Sequence, residues 1–261
     1  MENSTHHFTP PEDVKLTWAS FHRYVATSNH PIAKAARRVY HGINTFSLPA
    51  PQLIVKPILW IFLVLRSVWY FLRRVFIAEP LFKAYCKRYG RNLHTDIYVH
   101  WIQGKGDIIL GDDVLIDGKC SITFARRFVD RPVLEFGDNS GCGHGCTFTV
   151  GKRIVIGRNC IIAPGCWILD SSGHPLDTSD RSELKPPSAD DVQDVIIEDA
   201  VWIGKGSIIF PGVIIGKGSI ISANSVLRRS VPPYSLVAGN PAKVICQIPH
   251  ALPATATAPA G

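Results

Sequence analysis

The side chain best suited to chemistry is that of His174, which lies in the longest polar stretch of the chain, residues 170–194. An imidazole, with an unperturbed pKa of about 6.5, can take up and return a proton near neutral pH, so His174 is the candidate general base. Asp170 and Asp177 flank it and could orient the ring or contact a substrate hydroxyl, and we favour Asp177. Arg181 is a weaker candidate of the same kind. No serine or cysteine lies in a recognisable nucleophile setting, so no covalent intermediate is expected.

A second histidine, His144, lies 30 residues before His174, in the stretch CGHGC at residues 142–146. Two cysteines and a histidine this close together could bind a metal ion. Both cysteines, however, fall at positions that the repeat described below turns inward, where a thiol packs as a small apolar group. The sequence therefore predicts core packing here and no metal site.

The residues around these histidines follow a six-residue period. An α-helix has a period of about 3.6 residues and a plain strand a period of about 2, so neither element explains the pattern. A six-residue repeat is typical of a parallel β-helix, in which each repeat forms one flat face and its corner, and the first residue points into a shared core. The first positions are Leu110, Ile116 and Ile122; Phe136, Cys142 and Phe148; Val150, Ile156, Ile162 and Ile168; and Ile197, Ile203, Ile209, Ile215, Ile221 and Leu227.

The repeat also accounts for several cysteines and locates the insertions. The fifth position of a repeat points inward as well, and four cysteines occupy it: Cys120, Cys146, Cys160 and Cys166. The period slips at residues 123–135, near Thr149, and most severely between residues 169 and 195. A long loop inserted into a solenoid is usually functional, which is a further reason to favour His174.

Three motifs resemble those of a known family. They are GHPLD at residues 173–177, VWIGKGSIIFPGVIIGKGSIISANSVL at residues 201–227, and VPPYSLVAGNPAKVI at residues 231–245. Together they resemble the hexapeptide-repeat acyltransferases of the maltose, galactoside and polysaccharide O-acetyltransferase type, over roughly residues 107–248. The resemblance implies an all-β, left-handed parallel β-helix, with the catalytic histidine of the family at His174.

The resemblance also implies a reaction and an assembly. The reaction is transfer of an acetyl group from acetyl-CoA to a hydroxyl of a sugar or glycan precursor, within a ternary complex. The assembly is a homotrimer with its sites between adjacent subunits. His144 stands about where the galactoside type has an asparagine at the acceptor site, so its role departs from the family pattern. The residues implied at the donor are, for the pantetheine arm, Gly204, Lys205, Ser222 and Ala223, and, for the phosphates of CoA, Arg228, Arg229 and Lys243.

The region before the repeats has a different character. Residues 58–78 are the most apolar run of the chain, and eight lysines and arginines but one acid, Glu79, lie in residues 56–91. On a helical wheel Arg66, Arg73 and Arg74 share one side and aliphatic and aromatic residues the other, as in helices that lie at a membrane surface. We expect residues 56–91 to attach the protein to a membrane, with the arginines reaching lipid phosphates. A single span, or a buried helix or oligomer contact, is the alternative.

The composition of the chain limits its location and the classes of protein it can belong to. The 261 residues are 46% hydrophobic and 19% charged, with a net charge of +7 and no sign of a signal peptide at the start. Seven cysteines, an odd number, argue against a disulfide framework. We expect a protein at the cytoplasmic face of a membrane, not secreted and not a nucleic-acid binder. The predicted regions are a helical one at 1–93, with a helix starting at residues 9–12, the β-helix at 94–248, and a disordered tail at 249–261.

Other functions stay open at this stage. Transfer to an amine, as on amino sugars or antibiotics, is the first alternative. A membrane-bound β-helix scaffold without catalysis is the second, because a fold alone does not establish a function. A γ-type carbonic anhydrase would share the coil but would need three metal-binding histidines, and only His144 and His174 lie in the repeats.

Overall fold

The computed structural model of the protein describes residues 17–125, 127–175 and 177–249. The helix start predicted at residues 9–12 and nearly all of the tail predicted to be disordered lie outside the described residues. Contacts divide the chain into two compact units, residues 1–62 and 63–261. The predicted boundary after residue 93 therefore lies within the second unit.

The first unit contains two short helices, α1 at Trp18–Thr27 and α2 at Pro31–Thr45. Helix α1 begins where Thr17 Oγ1 accepts a hydrogen bond from Ser20 N at 3.2 Å, and α2 begins with a proline, whose missing N–H costs nothing at that position.

Helix α3, at Gln52–Arg73, contains the boundary between the two units, and a π-helical turn at Arg74–Ala78 and helix α4 at Glu79–Tyr85 follow it. Among the described residues, the continuous helical stretch Gln52–Tyr85 has the length and composition to cross a membrane. The most apolar 18-residue window of this stretch has a mean hydropathy of 1.7, and none of that window is buried in the protein. The apolar run of the sequence is therefore helical and exposed.

Most of the cations in residues 73–91 are bound by the protein itself. Arg73 Nε donates to Ile97 O at 2.9 Å, and Arg74 Nη1 lies 2.6 Å from His94 Nδ1. Three further ion pairs are Lys83 with Glu79 at 2.7 Å, Lys87 with Asp107 at 2.6 Å, and Arg91 with Asp112 at 2.7 Å. The guanidinium groups of Arg73 and Arg74, which were expected to reach lipid phosphates, therefore bind protein groups in this structure.

The rest of the described chain is built mainly from short strands, with a short helix at Thr178–Ser182 and a 3-10 turn at Ala189–Asp191. The strands are β1 Cys86–Arg88, β2 His94–Thr95, β3 Trp101–Gln103, β4 Asp107–Leu110, β5 Leu115–Ile116, β6 Ser121–Phe124, β7 Val133–Phe136, β8 Gly141–Cys142, β9 Thr147–Val150, β10 Arg153–Ile156, β11 Ile161–Ile162, β12 Trp167–Leu169, β13 Val195–Ile197, β14 Trp202–Ile203, β15 Ile208–Ile209, β16 Ile214–Ile215, β17 Ile220–Ile221, β18 Val226–Leu227, β19 Ser235–Gly239 and β20 Ala242–Gln247.

From β4 to β18, each strand pairs with the strand three positions before it in the chain. The chain therefore winds through three sheets in turn. Sheet A contains β1, β4, β7, β10, β13 and β16; sheet B contains β2, β5, β8, β11, β14, β17, β19 and β20; sheet C contains β3, β6, β9, β12, β15 and β18. The last pair, β19 with β20, is antiparallel and ends the coil. Because β1 already pairs in parallel with β4, the coil begins at Cys86, before the predicted residue 94.

The core confirms the six-residue period. Every first-position residue named above is at most 2% exposed, and the four fifth-position cysteines are at most 1% exposed. A side chain that points inward at each repeat meets its equivalents in the coils above and below, so only apolar or small residues fit there. At the first coil, Phe82 of α4 packs on the buried ring of His100 with the ring centres 4.5 Å apart, which covers that end of the core.

The turns between sheets form three edges of the coil. The A–B edge joins sheet A to sheet B, and the B–C edge consists of turns at residues 96–100, 117–120, 143–146, 163–166, 204–207 and 222–225. The C–A edge consists of turns at residues 104–106, 125–132, 151–152, 170–194, 210–213 and 228–230. All three slips of the period lie on the C–A edge, so the insertions leave one side of the coil.

Candidate active site

The ends of the long insertion, residues 170–194, are joined at the C–A edge. Ser171 and Val192 form an antiparallel bridge, and Gln193 N donates to Asp170 O at 3.0 Å. These bonds close the insertion at its base. The position at which the insertion leaves the coil is therefore fixed.

His174 lies three residues beyond this bridge. Its side chain is exposed and forms no hydrogen bond with the described residues, while its backbone carbonyl accepts a bond from Ser172 Oγ at 2.9 Å. The next residue, Pro175, is buried and anchors the chain beside it. A fixed backbone and an uncommitted ring are what a general base needs, because the ring must bind the substrate rather than the protein.

Asp170 has a structural task. It is fully buried, and its carboxylate accepts the backbone amides of Gly151 at 2.5 Å, Lys152 at 2.7 Å and Arg153 at 2.7 Å. Burial raises the pKa of this carboxyl, and the three amide bonds oppose that shift. The residue therefore ties the base of the insertion to the preceding turn of the C–A edge, and no hydrogen bond joins it to the His174 imidazole in the described chain.

Asp177 and Arg181 also act on the insertion itself. Asp177 Oδ1 caps the short helix α5, Thr178–Ser182, by accepting the amides of Ser179 at 2.8 Å and Asp180 at 3.1 Å. The hydrogen bond from the Ser179 hydroxyl, and then those from the two amides, lower the pKa of the Asp177 carboxyl. Arg181 Nη1 donates to Pro175 O at 3.1 Å, next to His174. Both side chains thus shape the chain around the histidine, and their contact with substrate stays a prediction.

His144 lies elsewhere, at the B–C edge. It is exposed and borders a cleft of about 430 Å³ that runs over three successive turns. A Cβ on Gly118, one coil earlier, would lie 2.2 Å from the His144 Cβ, so that glycine makes room for the histidine. The cleft is lined by Asp96, Tyr98, Asp117, Gly118, Lys119, His144 and Gly145.

Sequence reasoning missed most of this cleft. Ile116 pairs with Cys142 in sheet B, so Asp117 and Lys119 occupy the same turn as His144 in the neighbouring coil. The six-residue period contains that information, because residues in the same phase stack along one edge. Asp96 and Tyr98 precede the first detected repeat and gave no such signal.

The residues predicted for the pantetheine arm do lie together on the B–C edge. The amides of Gly204 and Ser222 are used within the coil, donating to Ile221 O at 2.7 Å and to Val237 O at 2.8 Å. The amides of Lys205 and Ala223 have no partner among the described residues, so they are the available donors. The coil itself requires a glycine at position 204, because a Cβ there would lie 2.5 Å from the Ala223 N.

The three predicted phosphate-binding cations are divided between two edges. Arg228 and Arg229 are exposed at the C–A edge, where neither pairs with a described carboxylate. Lys243 is exposed in the β19–β20 hairpin, opposite Ala238 and at the end of the B–C edge. Within one chain, sheet C therefore separates His174, Arg228 and Arg229 from the predicted pantetheine residues.

The cysteines of the coil are core residues. Cys142 and Cys146, which flank His144, are 2% and 1% exposed, and the described part of the chain contains no group of three or more His, Cys, Asp or Glu residues arranged to hold a metal ion. The inward position of both thiols confirms the packing interpretation of CGHGC.

Three parallel sheets built from six-residue repeats, with a histidine-bearing insertion on one edge, define a β-helix protein of the hexapeptide-repeat class. A family model described as bacterial transferase hexapeptide, six repeats, matches residues 194–229. The Escherichia coli protein WbbJ, whose name assigns it provisionally to O-acetyl transfer in lipopolysaccharide biosynthesis, is 34% identical over 144 residues, which cover 50% of this chain and 74% of WbbJ. The chain belongs to the hexapeptide-repeat acetyltransferase family.

Two further proteins are similar. An acetyltransferase, provisionally so named, of Saccharomyces cerevisiae is 43% identical over 115 residues, or 44% of this chain and 56% of that protein. The chain spans about half the length of several such curated relatives, from 53% to 58%. The crystal structure of a mutant of AntD, an N-acyltransferase from Bacillus cereus, in complex with dTDP-4-amino-4,6-dideoxyglucose and coenzyme A, has a TM-score of 0.54 at 22% identity and covers 66% of this chain and 89% of AntD. That likeness supports the fold.

Proposed function

We propose that the protein is a CoA-dependent acetyltransferase that moves the acetyl group of acetyl-CoA to a hydroxyl of a sugar or glycan precursor. The observation that carries the proposal is the exposed imidazole of His174, which is unbonded within the described chain and lies on the longest insertion of the coil. The family of the chain supplies the reaction class, and the name of WbbJ supports a hydroxyl as the acceptor.

In the proposed reaction, His174 takes the proton of the acceptor hydroxyl as the oxygen attacks the carbonyl carbon of the thioester. A carbon–oxygen bond forms and negative charge gathers on the carbonyl oxygen, where backbone amides can stabilise it. The carbon–sulfur bond then breaks, and the sulfur receives the proton from the imidazolium of His174. The products are an ester and the free thiol of CoA, and the imidazole is neutral again.

The donor site is proposed to use the uncommitted groups of both edges. The amides of Lys205 and Ala223 would bind the pantetheine arm, and Arg228, Arg229 and Lys243 would hold the phosphates. Cations without protein partners are expected at phosphates on charge alone. Exposed arginines that have no carboxylate partner in the described chain therefore fit an anionic donor.

A homotrimer would unite the two edges. The outward residues of sheet B that pair across the coils include Leu115, Ile161 and Trp202, which are 44%, 63% and 51% exposed. The outward row of sheet A is apolar apart from Glu135 and ends at Ile214, 42% exposed, whereas that of sheet C mixes Trp101 and Trp167, 55% and 44% exposed, with serine and threonine at residues 121, 123, 147 and 149. Exposed apolar rows mark subunit contacts.

If sheet A of one subunit packs on sheet B of the next, the A–B edges meet at the threefold axis. The C–A edge of one subunit then faces the B–C edge of its neighbour. His174, Arg228 and Arg229 of one chain would thereby join Lys205, Ala223 and the His144 cleft of the other. The proposed active site is thus shared between subunits of a left-handed coil.

We also propose that the enzyme works at the cytoplasmic face of a membrane, where acetyl-CoA is available, and that residues 56–91 attach it. The support is the exposed apolar stretch Gln52–Tyr85. A lipid-linked glycan or a cell-surface polysaccharide precursor would be the acceptor at such a place.

The proposal is tested by incubating the purified protein with acetyl-CoA and a panel of sugars, nucleotide sugars, lipid-linked sugars and amino sugars, and by following release of free thiol. We expect thiol release with a hydroxyl acceptor and a product whose acetyl group mild base removes. An acetyl group that resists mild base would indicate an amide and favour the N-acetyl alternative. Absence of CoA binding by calorimetry would favour the non-catalytic scaffold.

A further inference from the structure

The chain from residue 14 to residue 78 contains no aspartate or glutamate. The same segment contains nine lysines and arginines: Lys15, Arg23, Lys34, Arg37, Arg38, Lys56, Arg66, Arg73 and Arg74. A run of one sign this long creates a strong local potential and attracts a surface of the opposite sign. The partner of this segment is therefore expected to be anionic.

Several of these cations are not free to meet such a partner. Arg73 and Arg74 bind groups of the coil, as described above, and Arg37 donates to Ala26 O at 2.6 Å and to Ser28 O at 2.9 Å. By contrast, the four cations Arg23, Lys34, Arg38 and Lys56 are exposed and have no carboxylate partner in the described chain. The available positive charge thus lies in the first unit, largely before residue 56.

Helix α2 arranges its residues by type. At about 100° per residue, Ile32, Val39 and Ile43 share one side of the helix and Lys34 and Arg38 the opposite side. The three apolar side chains are 68%, 62% and 70% exposed. An amphipathic helix normally buries its apolar side, so this side of α2 lacks a partner in the described chain.

Helix α1 repeats the arrangement and is tied to α2. Trp18 and Phe21 are 76% and 48% exposed, and their rings stack with centroids 5.9 Å apart. The two bonds of Arg37 hold the end of α1 against α2. The two helices therefore form one hairpin, residues 18–45, with exposed aromatic and aliphatic side chains and unpaired cations.

We propose that this hairpin lies in the headgroup layer of an anionic bilayer, with the apolar side of α2 in the acyl boundary and the cations of the first unit at lipid phosphates. An aromatic and aliphatic face opposite a lysine- and arginine-rich face is the pattern of helices that lie in the membrane plane. A second copy of the chain suits the hairpin less well, because it would bring two acid-free, positively charged segments together. The inference extends the proposed membrane attachment toward the N-terminus and does not depend on acetyl transfer.

The depth of two positions of α2 in the membrane tests the proposal directly. Ile43 and His41 lie on different sides of the helix, and each is replaced in turn by Ile43→Cys or His41→Cys in the full chain. The background carries Cys86→Ser and Cys246→Ser, which remove the two cysteines that are not buried. An environment-sensitive fluorophore is attached to each, and vesicles of phosphatidylcholine with phosphatidylserine are added. We expect a blue shift and quenching by brominated lipid at position 43 but not at position 41.

The outcomes separate the candidate partners. If the protein binds the vesicles and both positions stay in water, α3 alone attaches the chain and the hairpin proposal is overturned. If the protein does not bind vesicles at all, both membrane proposals fail while the acetyl-transfer assay still decides the enzymatic one. A blue shift at position 43 that occurs without vesicles, and that disappears when the protein is diluted, would overturn the proposal. It would identify a second copy of the chain as the partner of the hairpin.

The charge requirement is tested with Lys34→Gln and Arg38→Gln. Each basic residue near an anionic surface contributes about 1 kcal/mol, so we expect vesicle affinity to fall about fivefold for each change and about 25-fold for both. Lys105→Gln, at an exposed lysine of the coil, is the matched control and should leave affinity unchanged. Equal binding of the double variant and the parent protein, or equal binding to pure phosphatidylcholine, would contradict the role of anionic lipid.

Discussion

The guanidinium carbon of Arg228 lies 4.0 Å from the centre of the Phe210 ring. The two residues occupy consecutive turns of the C–A edge, so the ring of one coil supports the side chain of the next. Stacking restrains a guanidinium while leaving its N–H groups at the rim for an anion. The arrangement presents an arginine in a fixed orientation rather than as a mobile charge.

Replacing Arg228 should weaken donor binding. We expect Arg228→Gln to raise the KM for acetyl-CoA about tenfold, because a charge-assisted bond to a phosphate is lost at an exposed site. Phe210→Leu, which removes only the stacking, should raise it about threefold. The measurement is initial velocity against acetyl-CoA concentration, with Lys105→Gln as the control. An unchanged KM in Arg228→Gln would remove this residue from the donor site.

Replacing His174 should affect the chemical step. We expect His174→Ala to lower kcat by about 10²–10⁴-fold, because the acceptor hydroxyl loses its base. The Kd for CoA, measured by calorimetry, should stay the same. Ser172→Ala, which removes only the bond to the His174 carbonyl, tests whether a local change of the loop has the same effect, and we expect a much smaller loss. Near-normal kcat in His174→Ala would contradict the proposed mechanism.

Two aspartates of the insertion should differ in their effect on stability. Asp170→Asn places an N–H group opposite one of three backbone amides, so we expect the free energy of unfolding to fall by about 2 kcal/mol. Asp177→Asn should change it by only a few tenths, roughly, since asparagine caps a helix as well as aspartate does. Chemical denaturation of both variants provides the comparison. Equal stability of the two would mean that the buried carboxylate does not hold the base of the insertion.

Asp107 should make the coil sensitive to acid. Hydrogen bonds from Arg131 at 2.7 Å and Lys87 at 2.6 Å lower the pKa of its carboxyl. A carboxyl with a lowered pKa in the folded state stabilises the protein above its ordinary pKa of about 3.9 and loses that contribution as the pH falls below it. Both partners are largely exposed, so we expect Asp107→Asn to cost about 1 kcal/mol at neutral pH.

That cost should shrink as the pH of a denaturation series is lowered through the range below pH about 4. The parent protein and Asp107→Asn are compared at each pH by the same denaturant titration. A difference that stays constant down to strongly acidic pH would show that the carboxylate form is not what stabilises this corner.

Substitutions can distinguish the sheets proposed to join subunits, A and B, from sheet C, which is proposed to stay free. Trp202→Glu or Ile161→Glu places a charge in the apolar row of sheet B, and we expect light scattering to find a monomer in place of a trimer. The same charge introduced by Thr147→Glu on sheet C should leave the assembly intact. Because the active site is proposed to be shared, the monomeric variants should also lose acetyl transfer. If Thr147→Glu dissociates the trimer and the two sheet B variants do not, then sheets A and B are not the faces that join the subunits.

Several features of the protein could be predicted from the order of residues. The aliphatic ladder from Ile197 to Leu227 predicted the coil because an inward position at every repeat tolerates only apolar side chains. Cys142 and Cys146 could be assigned to the core by the same rule. The insertion that carries His174 could be found because it interrupts that rule. Each of these inferences depends on a local, periodic constraint, which is visible without knowing how the coils are placed.

Only the tertiary structure decided which side of the coil each candidate occupies. Arg228 and Lys205 were both assigned to the donor, yet they lie on edges separated by sheet C. Arg73 was expected to reach lipid, but the carbonyl of Ile97 binds it. Asp170 was one of two aspartates that could orient the imidazole, but its carboxylate accepts three amides of an earlier turn. Such pairings join residues that are far apart in the chain, so they follow from how the coils stack and not from any repeat.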